Sequence, residues 1–262
     1  MNNAIVIDPP GFIQRVLSVF YRHYKCYFKH VVANGFPPFV EPLLFLAAIG
    51  FGVGRYVNTI EGMKYSEYVA PGLLASTAMF TATFELTYGT HIRMEYKRIY
   101  DGILSTPIGI VDAFVGEVIW AGAKGLFFSL AVLITISFFG LVHSPWALCA
   151  PAVGFLTGII YGALGLIMTS FITEINNFNF YVTGCCTPMF FLAGIFMPVK
   201  ELPVVLQKVS YCIPLTHSVN LMRGLVLGKL ESFHVHNLLF LIIIIPPVVW
   251  FAIRCIKKRM II

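Results

Sequence analysis

The sequence predicts an all-α integral membrane protein of six transmembrane helices, and three observations carry that reading. Hydrophobic residues make up 58% of the 262 positions and charged residues only 11%, with a mean hydropathy of +0.83. A soluble domain carries about 25% charge, so this chain has too little polar surface to cover itself in water. Six apolar runs follow one another, near Phe36–Gly54, Tyr68–Tyr88, Phe114–Phe139, Trp146–Thr169, Phe178–Met197 and Leu238–Ile256. Each is close to the ~20 residues that cross a hydrocarbon core. Between the fifth and sixth runs, Phe190–Gly228 reads as a proline-broken helical hairpin of membrane-interface character.

Residues 1–35 form a separate segment ahead of 36–262. Its start, MNNAIVIDPPG, has no basic leader region and too short an apolar stretch for a cleaved signal peptide. The first span is therefore expected to act as its own insertion signal. Phe12 to Val32 reads as one amphipathic helix. Phe12, Ile13, Val16, Leu17, Phe20, Tyr24, Tyr27, Phe28 and Val31 share an apolar side, with Arg15, Arg22, Lys25 and Lys29 around the rest. Such a helix lies in the membrane interface beside anionic headgroups; a simple lead-in helix is the plainer alternative. Asn34-Gly35 ends it, and Pro37-Pro38 turns the chain into the bilayer.

Basic residues orient the spans. The N-terminal helix, the loop at Arg93, Lys97 and Arg98, and the tail at Arg254, Lys257, Lys258 and Arg259 share one side if both termini are inside. The Leu141–Pro145 turn has no Lys or Arg, as an outer turn should. The hairpin fits least well, with Lys200, Lys208, Arg223 and Lys229 offset only in part by Glu201 and Glu231. The net charge of +6 thus reports topology and lipid contact, not nucleic acid.

The loop Gly89–Gly109 is the longest inner one. Its centre, Met94–Leu104, reads as a short helix with Met94, Ile99, Ile103 and Leu104 apolar and Glu95, Lys97, Arg98 and Asp101 polar. A docking element and a solvated linker fit this pattern equally. In the hairpin, Pro198 stops the fifth run and Pro203 suits a first helical turn. Leu202, Val205, Leu206 and Val209 then share a face. Pro214 interrupts, Thr216 is placed to cap a second helix, and Gly228 to close it.

Charges inside the runs are costly, about 2.5–3.5 kcal/mol for Asp, Lys or Arg at a helix centre. Glu41, Glu85 and Glu117 fall toward the inner ends of their spans, within reach of Arg93, Arg98 or the N-terminal basic residues. Ion pairing is preferred there over a substrate role. Lys124 sits mid-run; it snorkels, pairs with a neighbour, or meets an anionic headgroup.

Motif absences narrow the chemistry. The sequence has no GxxxxGK[ST], HExxH or GxSxG, and no visible inverted repeat or proton relay. Its six cysteines form no CxxC pair, and His217, His234 and His236 have no carboxylate or cysteine cluster around them. They read as surface histidines, and no metal site is expected.

Three stretches in order resemble one family. GIFMPVKELP from Gly194 to Pro203, followed by PLTH from Pro214, resembles the type-2 permease signature of ABC transporters. EYVAPGLLASTAMFTATFELTYG from Glu67 and MEYKRIYDGILSTPI from Met94 are similar to the branch exporting nodulation factors, which are lipo-chitooligosaccharides. The resemblance implies that 36–262 is an ABC type-2 transmembrane domain in a bacterial inner membrane. It also implies a homodimer working with two copies of a separate ATPase, which would hold ATP and Mg while this chain binds no cofactor. Met94, Glu95, Lys97, Arg98, Ile99, Tyr100, Asp101 and Leu104 would then form the coupling helix, seated in a groove of that ATPase. Pro198, Pro203, Pro214 and His217 would belong to outer re-entrant helices between spans five and six.

Spans one and five would line the dimer interface, making Phe45, Phe51, Phe190, Phe191 and Phe196 candidate substrate contacts beside Lys124. The cargo implied is a lipo-oligosaccharide, glycolipid or similar amphiphile moving to the outer leaflet. The 24 Phe, 12 Tyr and 3 Trp suit acyl chains, sugar rings and lipid contact alike. A drug or hydrophobic small-molecule exporter is the alternative, and an ion-coupled secondary carrier a more distant one.

Overall fold

The structure, a computed structural model, describes residues 10–57 and 59–261. The stretch MNNAIVIDP and the side chains of Glu41 and Phe51 lie outside the described ones. In place of one helix over Phe12–Val32, the chain forms α1 (Phe12–Phe28) and α2 (Val31–Gly35). Helix α1 buries Val16, Val19 and His23, while Phe12, Ile13 and Leu17 stay exposed. Its packing face therefore lies beside the stripe that the sequence marks as apolar. Val19 is drawn in by Gly116, where a side chain's first carbon would stand only 2.8 Å from Val19 Cβ.

Helix α3 (Pro37–Phe51) has 15 residues, about 22 Å at 1.5 Å per residue, and is short for a full crossing. A small antiparallel hairpin follows, β1 (Thr59–Ile60) with β2 (Met63–Lys64). Its turn residues Glu61 and Gly62 have φ of 50° and 76°, the left-handed pair that a two-residue turn demands. Helix α4 then runs Tyr65–Tyr96. It is regular to Phe84 and widens into π turns at Glu85–Gly89 and Ile92–Tyr96.

That extension corrects the expected Met94–Leu104 helix. Met94 to Tyr96 belong to the end of α4, Arg98 takes a left-handed φ of 46°, and α5 covers Ile99–Leu104. The reversal at Lys97-Arg98 brings Tyr100 back against the spans, where it is 1% exposed.

Helices α6 (Ile110–Phe138) and α7 (Pro145–Phe171) cross with backbones nearly touching. At Gly158 an added carbon would meet the Ala121 carbonyl oxygen at 2.8 Å and the Gly122 Cα at 3.0 Å. Small residues allow this close approach, which replaces a hydrophobic drive in lipid. Hydroxyls add links: Ser129 donates to the Leu74 carbonyl at 3.0 Å, and Thr157 and Ser218 pair at 2.8 Å.

The fifth run is not one helix to Met197. It divides into α8 (Phe178–Tyr181), a π turn over Val182–Cys186 and α9 (Thr187–Leu192), then turns at Gly194 with φ 78°. Side chains from elsewhere hold that turn, since the Gly194 carbonyl accepts from Tyr68 Oη at 3.0 Å and Arg223 Nη2 at 2.8 Å. Two short helices follow, α10 (Val204–Cys212) and α11 (Pro214–Leu227), and then α12 (Ser232–Ile261). Four helices are long and apolar enough to cross a bilayer among the described residues: α4, α6, α7 and α12.

The hairpin differs in detail from expectation. Pro203 precedes α10 instead of standing in its first turn, and Pro214 is the first residue of α11. Thr216 lies inside α11 with its hydroxyl buried and unpartnered, so it caps nothing. Gly228 closes α11 at φ 74°. Val204, Val205 and Val209 of α10 are exposed. Helix α11, by contrast, is buried along most of its length between α4, α7 and α12.

His217 is half-buried. Its Nε2 donates to the Tyr211 carbonyl at 2.9 Å, its Nδ1 lies 2.7 Å from the Asn237 side chain, and its ring stacks 3.9 Å from Phe240. His236 is exposed. All six cysteines are free thiols, Cys186 alone being buried.

Candidate functional site

Where α4 widens, it meets α1, α5 and α6 around one buried carboxylate. Glu117 of α6 is 0% exposed. Its Oε1 accepts from Tyr100 Oη at 2.5 Å and from His23 Nε2 at 2.9 Å, and its Oε2 from Arg93 Nη2 at 2.8 Å. His23 Nε2 also lies 2.9 Å from Arg22 Nη2. One imidazole nitrogen cannot donate and accept at once; Nε2 donates to the carboxylate, and Arg22 faces Glu117 Oε1 at 3.6 Å.

Arg93 runs back along α4 to a second carboxylate, its Nη1 donating to Glu85 Oε1 at 2.7 Å. Lys124 Nζ fills the other oxygen of Glu85 at 2.8 Å, and lies 5.4 Å from the Tyr27 ring centre and 5.7 Å from that of Phe128. Glu85 and Arg93 both lie in the π turns of α4.

The expected pairing of Glu85 and Glu117 with Arg93 and N-terminal basic residues is thus what the fold contains. Arg98 takes no part; it is exposed. Lys124 binds Glu85, the neighbour-pairing alternative. Ligand atoms of His23, Glu85 and Glu117 lie within 4.8 Å of one another. Their carboxylate oxygens are already faced by Arg22, Arg93, Lys124, His23 and Tyr100, a donor set that replaces a metal and does not invite one.

Aromatic groups pack around this cluster. Trp120 packs 5.6 Å from Phe20, 5.6 Å from His23 and 5.7 Å from Tyr27. Burial, and secondarily the Glu85 charge, push the Tyr27 phenol up to about 12. Burial and then the Glu117 charge raise the Tyr100 phenol above its usual range, keeping it a donor. Removing that donor with Tyr100→Phe is expected to cost about 1.5–3 kcal/mol, the usual range for a hydrogen bond to a charged group. The check is the thermal midpoint in detergent, and a midpoint equal to wild type would refute the bond's importance.

Two further ties anchor the same side. Arg15 Nε donates to Asp112 Oδ2 at 2.6 Å, joining α1 to the start of α6. Arg259 of α12 donates to the Ile172 carbonyl at 2.6 Å, to the Thr169 carbonyl, and to Glu95 Oε1 at 2.7 Å. A guanidinium on those orphan carbonyls caps α7 and complements its dipole.

The sequence-derived residues separate by direction. Tyr100 points inward, while Met94, Ile99 and Leu104 are half-buried. Glu95 is tied to Arg259, and Lys97, Arg98 and Asp101 face out. Four of the candidate substrate aromatics gather elsewhere: Phe190 lies 5.2 Å from Phe196 and 5.3 Å from Phe191, and Phe45 lies 6.2 Å from Phe196. Phe45 and Phe190 line an open groove of about 450 Å³ with Pro42, Leu73, Phe80 and Phe128. Neither the bond of His23 to Glu117 nor that of Arg223 to the Tyr68 carbonyl is legible in the sequence, because partners 94 and 155 residues apart leave no local pattern.

Long apolar helices with small-residue crossings define a multi-pass membrane protein. Residues 14–227 match the ABC-2 type transporter family, and the chain belongs to that family. It is similar to Nodulation protein J of Sinorhizobium fredii (strain NBRC 101917 / NGR234), with 35% identity over 81% of this chain and 81% of the relative. Nodulation protein J of Rhizobium leguminosarum bv. trifolii is 33% identical over 87% of each. The inner membrane transport permease YadH of Escherichia coli (strain K12) is 24% identical over 73% of this chain and 75% of its own length. The chain is therefore the membrane-embedded transport subunit of an ABC system, a family that implies a partner ATPase subunit.

Proposed function

We propose that two copies of this chain, with two copies of a separate ATPase, export a lipo-oligosaccharide or related glycolipid toward the outer leaflet of the bacterial inner membrane. Residues 1–35 are the interfacial segment and 36–262 the transmembrane domain, with both termini cytoplasmic. The observation that carries the reading is the convergence on Glu117. One carboxylate binds Tyr100 of α5, His23 of α1 and Arg93 of α4, so a force on the outward charges Lys97, Arg98 and Asp101 reaches two long helices directly. ATP binding would close the ATPase pair, press on α5 and move the ends of α4 and α6.

Helices α3, α8 and α9 would line the dimer interface, where the Phe45–Phe190 groove accepts the acyl chain. Hairpin α10–α11 would be the outer re-entrant pair shaping the exit. The groove's phenylalanines also favour a second reading, export of an apolar drug-like molecule.

Affinity purification in mild detergent with mass spectrometry of protein and lipid tests this. An ATPase at equal stoichiometry and a retained glycolipid are expected. A lone permease under several extraction conditions would reject the ATPase partner, and transport abolished by a protonophore but indifferent to ATP would indicate a carrier. Charge reversal, Arg98→Glu or Asp101→Lys, is expected to weaken ATPase association roughly tenfold, a loss of about 1.4 kcal/mol, with the permease's thermal midpoint unchanged. Undiminished co-purification and ATP turnover in both variants would exclude this docking surface.

A further inference from the structure

At the opposite end of α4 from the ion cluster, a second cavity of about 350 Å³ lies between the β1–β2 turn, the Gly194–Lys200 turn and α11. We propose that it is a site for a phosphodiester monoanion, the group that a phospholipid headgroup carries. The assignment goes beyond the export reading and does not depend on the cargo.

Arg223 sits in the wall with its charge uncompensated. Its Nε and Nη2 each donate to the Tyr68 carbonyl at 3.3 Å, and Nη2 also donates to the Gly194 carbonyl at 2.8 Å. Cζ lies 3.8 Å from the centre of the Tyr68 ring. All of these partners are neutral, so they fix the guanidinium without cancelling it. Among the described residues Nη1 has no acceptor, and it is not sealed in protein. A guanidinium held in place with one N–H edge unused is pre-organised for the oxygens of an oxyanion.

The charges of the wall divide by depth. Lys200, Lys229, Glu61 and Glu231 are exposed at the rim, where two of each sign offset one another, while Arg223 is half-buried. None of the five forms a salt bridge among the described residues. The surplus is the single positive charge of Arg223, which matches the single negative charge of a phosphodiester. A phosphate monoester would bring about −1.5 to −2 at pH 7, more than the wall offsets. Asn220, one turn before Arg223 on α11, adds a neutral amide donor on the same face. Helix α10 supplies the setting: Val204, Val205 and Val209 are exposed, as is Tyr211 on the cavity wall. In a membrane protein, an apolar face that ends in a tyrosine lies at headgroup level, where phosphodiesters are the abundant anions.

The test is calorimetry on delipidated permease in a non-ionic maltoside. The probes are dihexanoyl-phosphatidylglycerol, its deacylated head glycerophosphoglycerol, and dihexanoylglycerol, which has no phosphate. Saturable binding of the phospholipid, weaker binding of the head alone and no binding of dihexanoylglycerol are expected. Arg223→Gln should weaken phospholipid binding roughly tenfold, about 1.4 kcal/mol. Arg223 also ties α11 to the Gly194 turn, so the rim charges give a second reading that leaves those bonds in place. Lys200→Glu/Lys229→Glu should weaken binding and Glu61→Gln/Glu231→Gln should tighten it, each roughly threefold, as suits exposed charges. No saturable binding of the phospholipid, equal binding of dihexanoylglycerol, or rim pairs that both bind like wild type would overturn the proposal. Glycerophosphoglycerol binding as tightly as the phospholipid would support the phosphodiester site and assign it to a soluble ester instead of a lipid.

Discussion

Glu117→Ala is expected to destabilise the permease by about 3–5 kcal/mol, the range for breaking a buried ion pair from one side. The carboxylate accepts three hydrogen bonds and is 0% exposed. Its loss strands part of the Arg93 guanidinium, the Tyr100 hydroxyl and His23 in a buried site, and unpaired buried polar groups are the costly kind. The drop should appear as a lower thermal midpoint in detergent and as faster hydrogen exchange in Phe12–Phe28, the helix that Glu117 holds through His23. The double variant Glu117→Ala/Arg93→Met should recover part of the loss, because it removes the stranded charge. A single variant as stable as wild type, or a double variant equal to the sum of the singles, would contradict the network described here.

Gly158→Leu should strongly damage the transmembrane packing between α6 and α7. The first added carbon would already stand 2.8 Å from the Ala121 carbonyl oxygen and 3.0 Å from Gly122 Cα. Both contacts are backbone, so no side chain can swing aside. Overpacking typically costs 1–3 kcal/mol, and with rigid atoms on both helices a loss near about 3 kcal/mol is expected, with Gly158→Ala intermediate. Gly102→Ala is the control, since nothing lies within 4 Å of the carbon it adds. Thermal midpoints and yields of folded protein rank the three. Gly158→Leu behaving like Gly102→Ala would mean that α6 and α7 do not cross as closely as described.

Much of this organisation is legible in the residues themselves. The apolar runs became α4, α6, α7 and α12 because a 20-residue apolar segment has one low-energy option in lipid, a helix satisfying its own backbone. Gly228 closes α11 as expected because φ 74° suits glycine. That Glu85 and Glu117 are paired also followed from composition, since an unpaired charge at that depth is too costly.

Local pattern failed where distant groups decide the outcome. The fifth run is apolar through Met197, yet the helix stops at Leu192, where Gly194 turns left-handed and its carbonyl is held by Tyr68 and Arg223. The Met94–Leu104 segment has a helix's periodicity, yet it splits where Arg98 turns and sends Tyr100 to Glu117.

The sequence by itself determined that the chain is a membrane protein, roughly where its long helices lie, which family its motifs match and which charges needed partners. Those properties depend on composition and on spacing within one helix, where each residue's effect is nearly additive. Tertiary structure alone decided which partner each charge took, that His23 and Tyr100 share one carboxylate, and that Arg223 faces a cavity. Such choices depend on distances between segments far apart in the chain, and those are set only when the helices pack.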